Sequence, residues 1–431
     1  MFATVRRALV FLVGKGLAQG LAAVTGLLLA RWLSVPDFAL YAIISAIIGA
    51  MNVLTKSGVY IGYAAILGRH WPDLDRAAQA LAAALKVRRS ISAVMLPPIM
   101  ASAAFLLWSN GASTSLTVAM LVLLLVLWLA DMRASMVEEI LIYDHQTNSL
   151  QMLEVVLSVA RLAAICLLQL ASATSVLAAV AVNAVCQIAR AIPISRWVNQ
   201  KLPNAPHSVL PADVREIQLG VRRQMPVEIF YVFQSQIVLL ILTLVAGVSE
   251  VANYGALSRI GQILLPFQAL VGAFAIPAFA KAQRRLGERL IALTAVCSVP
   301  GVLLIAMASV WPSALLWLVG PNYSQLTGEV LFMSCAAVLS LFSGTLRALV
   351  SARGWNSLAW ITIPLSLTWA CAAAISLDLH TLVGAIIFQA GFAVGPIITS
   401  LLDFCRSTGQ GIEPLFSTRN AEPSSGGGED R

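Results

Sequence analysis

Lysines, arginines and carboxylates recur at helical spacing inside stretches that are otherwise apolar. Asn52, Lys56, Tyr60 and Tyr63 follow one another along one face of such a stretch. Gln151, Glu154, Ser158 and Arg161 form a second stripe, and Asn183, Gln187 and Arg190 a third. Asp131, Ser135 and Glu138 make another, with Arg133 beside it, and Lys15 shares a face with Gln19. In the second half Glu228, Tyr231 and Gln234 repeat the pattern, followed by Ser258, Arg259 and Gln262, and later by Arg347. Separations of three, four and seven put each set on one helical face. A basic residue at the centre of a membrane helix costs about 2.5–3.5 kcal/mol on the insertion scale. Facing lipid, Lys15, Lys56, Arg161 and Arg259 would together cost roughly 10–14 kcal/mol. They are expected to face a wet interior instead, where an anionic substrate is the natural partner. The deepest charges read as mainly basic. Asp131, Glu154 and Glu228 are the candidates for binding a coupling cation. Blander roles stand beside these. Arg133, Glu138, Arg190, Glu228 and Arg347 lie near predicted span ends, where long side chains snorkel to water. Glu154 and Arg161 can neutralise structural partners, and Gln and Asn can simply join helices.

The elements that position these stripes follow from composition. The 431-residue chain is 59% hydrophobic and 11% charged, against about 25% charged in soluble proteins. Repeated apolar stretches of about 20 residues indicate a helical membrane protein. The alternating segments of about 10 residues that mark a β-barrel are absent. The fold expected is all-α, with twelve transmembrane helices in two parallel six-helix bundles. Residues 1–198 form the first lobe and 223–405 the second. Residues 199–222 read as a cytoplasmic linker and 406–431 as a polar, disordered tail. The net charge of +8 does not point to nucleic acid, because the basic residues lie in short loops. They gather on one face, leaving only Arg31 opposite, so the positive-inside rule puts both termini in the cytoplasm. In this scheme span three begins near Arg89 and Arg88 falls in an inner loop. Arg6 and Arg7 precede the first apolar run like a signal peptide, but that run continues past Lys15 to Leu33 and reads as an uncleaved span.

A repeat supports two lobes. Ser34, Asp37 and Tyr41 between spans one and two are echoed by Ser249, Glu250 and Tyr254 between spans seven and eight. Six intervening spans give the copies the same orientation, which is a parallel repeat. Ser followed by an acid is also an ordinary helix start. The pairs Gly16/Gly20, Gly58/Gly62 and Gly391/Gly395 allow close helix contact. Pro266, beside the Arg259 stripe, is a candidate hinge. No nucleotide-binding loop, nucleophile elbow or zinc-protease motif occurs, so an enzyme or self-powered pump is disfavoured. The six cysteines and four histidines lack ligand spacing, and neither a metal nor a cofactor is expected.

Three segments carry a family resemblance. LLLARWLSVPDFALYAII resembles the junction of spans one and two in the polysaccharide-transport flippases. VSEVANYGALSRIGQILLPFQALVGAFAIPAFAKAQRR is similar to their span eight, and LLWLVGPNYSQLTGEVLFMSCAAVLSLF to the junction of spans nine and ten. The resemblance covers about a quarter of the chain and its motifs are degenerate. It implies membership of the superfamily that also holds the multidrug and toxin extrusion (MATE) antiporters and the lipid II flippases. The implied fold is a V-shaped pair of bundles around a cationic cavity. The implied activity is flipping undecaprenyl-pyrophosphate-linked oligosaccharide across the bacterial inner membrane, for O-antigen, capsule or exopolysaccharide. Lys15, Lys56, Arg161 and Arg259 would then meet the pyrophosphate, and Asn52, Tyr60 and Gln262 the sugars. Membrane lipids, a polymerase and export machinery are the implied partners. A cation-coupled multidrug antiporter of the same superfamily is the alternative. The loop motif of major-facilitator transporters is missing from LGRHWPDLDRAAQALA, and the predicted outer loops are too short for a glycan ligase or polymerase.

Overall fold

A computed structural model describes residues 2–409, apart from 145, 203–208, 281, 283, 354 and 356. Its first half holds α1 (Phe2–Trp32), α2 (Val35–His70), α3 (Leu74–Ser109), α4 (Thr114–Tyr143), α5 (Thr147–Leu170) and α6 (Val176–Asn199). The second half opens with α7 (Pro211–Val245). Span eight is broken into α8 (Val248–Gly261), α9 (Leu265–Leu270) and α10 (Ile276–Ala280). There follow α11 (Leu286–Val310), the short α12 (Pro312–Val319), α13 (Glu329–Ser351), α14 (Thr362–Ser376), α15 (Leu382–Gly391) and α16 (Val394–Gly409). No strand occurs among the described residues. Among the described residues ten helical stretches are long and apolar enough to cross a membrane. With α1 and the α8–α10 run they make the twelve-helix plan. The face that carries the basic loops is called the inner face below.

Local chemistry sets the ends. Ser34 caps α2 by accepting from the Asp37 amide at 3.2 Å, with Pro36 in the first turn. Asp73 caps α3 by accepting from the Asp75 and Arg76 amides. The matching turn before α8 is built differently. Gly247 at φ +93° is its cap, and the side chain of Ser249 caps nothing. The repeat therefore lies in the placing of the two helices and not in a shared cap. Pro266 opens α9 directly after a 3-10 turn (Gln262–Leu264), and a π-helical turn (Val271–Ala275) separates α9 from α10. The winding of the span changes around the proline, which removes an amide donor.

The lobes meet along α1 and α2 of the first and α7 and α8 of the second. A large apolar cluster joins them in the outer half, with Phe38, Ile43 and Leu107 packed with Val251, Leu257 and Tyr323. A second cluster lies in the inner half of the first lobe and includes Tyr63, Leu81, Val137 and Ile217. A third lies in the inner half of the second lobe around Phe279, Leu349 and Trp355.

Two expectations change. The predicted linker is helical from Pro211, and its first turns pack on the first lobe. Residues 203–208 of that linker, and the tail beyond Gly409, lie outside the described residues. Arg88 is not in a loop either, because α3 begins at Leu74 and carries it fully buried.

Candidate transport chamber

The polar stripes of the first lobe converge. A cavity of about 410 Å³ is lined by Gln19 of α1, Asn52 and Lys56 of α2, and Asp131 of α4. Glu154, Ser158 and Arg161 of α5 and Asn183, Gln187 and Arg190 of α6 complete its polar wall. Helix α4 contributes Asp131 alone, and the other four helices each contribute residues three or four apart, as one face requires. Small residues, Ala18 and Ala22, leave the space on the α1 side.

The charges fall into three groups. Arg88 reaches the wall from behind and pairs with Asp131 at 2.8 Å. It also donates to the carbonyls of Asp131 and Met132 and to the Ser135 hydroxyl. Gln187 donates to the other Asp131 oxygen at 3.3 Å. Asp131 is thus neutralised by a buried guanidinium and held by neutral donors, the condition for keeping a charge pair out of water. Arg190 bridges Glu138 at 2.5 Å and Glu154 at 3.2 Å. Its position between two carboxylates replaces the snorkelling role. Lys56 and Arg161 form the third group. Among the described residues no carboxylate oxygen lies within 4.0 Å of either. Arg161 keeps one long bond to the Asn183 amide oxygen at 3.4 Å, and its Nε is buried without a partner.

Lys56 also lines a second cavity of about 450 Å³, shared with Tyr60, Ile61, Glu138, Glu139 and Glu228. This one lies between the lobes, because Glu228 comes from α7. Tyr60 and the buried Glu139 line it side by side. The interior is therefore not mainly basic. Asp131, Glu138, Glu139, Glu154 and Glu228 face Lys56, Arg161 and Arg190 across the two cavities.

The remaining candidates lie elsewhere. Arg259 sits in the seam between lobes, its guanidinium 5.3 Å from the Tyr41 ring centroid and its Cδ against Gly26 of α1. It donates to Gln262 at 3.2 Å, so that pair is engaged together. Lys15 is exposed on α1 and lines neither cavity. Arg347 stacks over Tyr231 and donates to its hydroxyl at 2.7 Å.

Two participants escaped the sequence reading. Glu139 had a signal, since Asp131, Ser135 and Glu139 recur every four residues and all three are buried. The stripe through Glu138 obscured it. Arg88 had none, because its partner is 43 positions away on another helix.

The fold has solved counterparts. An inward-facing multidrug resistance MATE family transporter of the MOP superfamily superposes with a TM-score of 0.65 at 15% identity, covering 92% of this chain and 95% of that one. An outward-facing MATE family transporter gives 0.63 at 14% identity, covering 94% and 95%. A MATE in the bent conformation gives 0.63 at 15% identity, also over 94% and 95%. At such identity the likeness establishes a MATE-type fold, two six-helix bundles over nearly the whole chain. No protein-family model matches the sequence. No curated protein matches it either.

Proposed function

We propose that the protein is a membrane transporter that moves a lipid-linked anionic glycan, of the undecaprenyl-pyrophosphate oligosaccharide class, across the bacterial inner membrane. The observation that carries this is the pair Lys56 and Arg161. Both face a polar chamber with no carboxylate within ion-pair distance among the described residues, while the neighbouring Arg88 has one and Arg190 two. A pyrophosphate supplies the missing negative charge, and its oxygens suit a guanidinium fork and an ammonium. Asn52, Gln19, Ser158 and Asn183 supply hydroxyl and amide groups of the kind that bind sugars. The flippase-like segments at the span junctions support the glycan, and the MATE-type fold supports alternating access between two lobes. The polyprenyl tail stays in hydrocarbon. A polysaccharide polymerase and export machinery are the partners this role entails.

The test is surface polysaccharide in cells carrying Lys56→Gln with Arg161→Gln, alongside Lys56→Arg with Arg161→Lys. The neutral pair is expected to abolish export at normal membrane abundance, and the charge-conserving pair to retain most of it. Purified protein in nanodiscs should likewise lose binding of undecaprenyl pyrophosphate only in the neutral pair. Normal export by the neutral pair ends the proposal. The carboxylates around Lys56 favour a second reading, a cation-coupled antiporter of small molecules. Proton-gradient-driven efflux of a cationic dye that depends on Glu139 and Glu228 would favour it instead.

A further inference from the structure

The two faces of the molecule are sealed by different chemistry. At the outer face the lobes share a continuous apolar core. Phe38 and Tyr323 stack edge-on at 6.1 Å, and a Cβ on Gly255 would stand 2.7 Å from the Ala42 methyl. At the inner face the seal is the start of α7. Arg76 of α3 forms a two-pronged pair with Asp213, at 3.0 and 3.1 Å. Arg69 of α2 grips both oxygens of Glu216, at 2.5 and 2.6 Å. Between these pairs and the cavities the backbones of α2 and α7 touch. A Cβ on Gly58 would lie 2.9 Å from Val221 Cα, and one on Gly62 would lie 2.8 Å from Ile217 Cα. Gly220 faces the same crossing. Directly above it stand Tyr60, Glu139 and Lys56, the floor of the lower cavity.

We propose that residues 211–223, the first turns of α7, are the inner gate of the transport path. They close it by a glycine-permitted backbone contact and lock it with the Arg69–Glu216 and Arg76–Asp213 pairs. The exposed Arg69–Glu216 pair exchanges its partners for water at little cost, while the Arg76–Asp213 pair is largely buried and holds the closed contact more firmly. The inner seal is also made by the helix that leads into the second lobe, so any rotation of that lobe pulls on it. The inference concerns access alone and does not depend on what the chamber binds.

The test uses the native thiol Cys186, which lines the chamber, as reporter in full-length protein whose other five cysteines are changed to alanine. Labelling by a membrane-impermeant maleimide is timed in inverted vesicles, where the inner face is outside, and in right-side-out vesicles. Arg76→Gln with Asp213→Asn is expected to speed labelling from the inner face about tenfold by shifting the closed population. Gly62→Ala should act the same way, with the rate from the outer face unchanged. Exchanging the charges, Arg76→Asp with Asp213→Arg, should return the rate toward that of the parent. Unchanged inner-face labelling in the charge variants, or an equal rise from both faces, overturns the gate, the latter marking a loosened fold. Should Gly62→Ala fail to insert, the charge variants decide.

Discussion

The interiors of the two lobes differ in kind. The first encloses a chamber walled by acids, bases and amides from five helices. The second carries a larger hollow, about 650 Å³, an open groove with apolar walls, among them the exposed Phe267, Phe274 and Val296. The pins at their inner ends differ in the same way. In the first lobe the Tyr143 hydroxyl donates to the Ala64 carbonyl of α2. At the corresponding place in the second, Arg353 donates to the carbonyls of Phe279, Ala280 and Ala282 and lies between the rings of Phe279 and Trp355. The neutral Tyr143 hydroxyl meets a carbonyl inside α2, whereas the Arg353 cation satisfies carbonyls at and beyond the end of α10. The charge of Arg353 is spent on structure, while that of Lys56 and Arg161 stays available. A cation's depth in the membrane therefore says less about its role than what stands within hydrogen-bond reach of it.

Changes that exploit this contrast have graded effects. The largest is expected for Arg88→Ala, which leaves Asp131 buried and unpaired. Breaking such a pair costs about 3–5 kcal/mol, so thermal unfolding in detergent should shift strongly, and Arg88→Ala with Asp131→Ala should recover part of the loss. A full-sized effect that the double change leaves untouched would mean Arg88 matters only as packing. Next is a matched insertion of charge. Val296→Asp in the apolar groove is expected to cost on the order of 2.5–3.5 kcal/mol, whereas Ser158→Asp in the chamber should fold normally and block export. Similar melting temperatures for the two would erase the wet-against-dry distinction. Arg353→Met should destabilise by about 1–3 kcal/mol through its uncapped carbonyls without altering substrate affinity, measured as binding in nanodiscs. Arg190→Gln frees two carboxylates in the chamber and should weaken anion binding about tenfold, about 1.4 kcal/mol, with Glu154→Gln restoring it. The smallest effect belongs to Arg69→Ala, whose pair is exposed on both sides. It should change stability by less than about 1 kcal/mol, read from the same melting curves.

The stripes on α2, α5 and α6 were legible because helical periodicity alone places Lys56, Arg161 and Arg190 on inward faces once lipid is excluded. Arg259 and Gln262 show where that logic stops. Their stripe is sound, yet it turns into the seam against Tyr41 and Gly26, and no periodicity states which neighbour a polar face will meet. The helix over residues 211–223 was hidden for a related reason. Residues 211–223 are polar enough to resemble a loop, and their helix is completed by glycines on α2 and by Arg69 and Arg76.

The sequence by itself determined the solvent of each segment: which stretches are apolar enough to cross a membrane, which face collects the basic loops, and that ionised groups must turn inward. These follow from transfer free energies, which are sums over local residues. Tertiary structure alone decided the pairing. That Arg88 neutralises Asp131, that Arg190 bridges Glu138 and Glu154, and that among the described residues no carboxylate reaches ion-pair distance of Lys56 or Arg161 depends on distances between helices. Coulombic energy falls with separation in space and takes no account of separation along the chain.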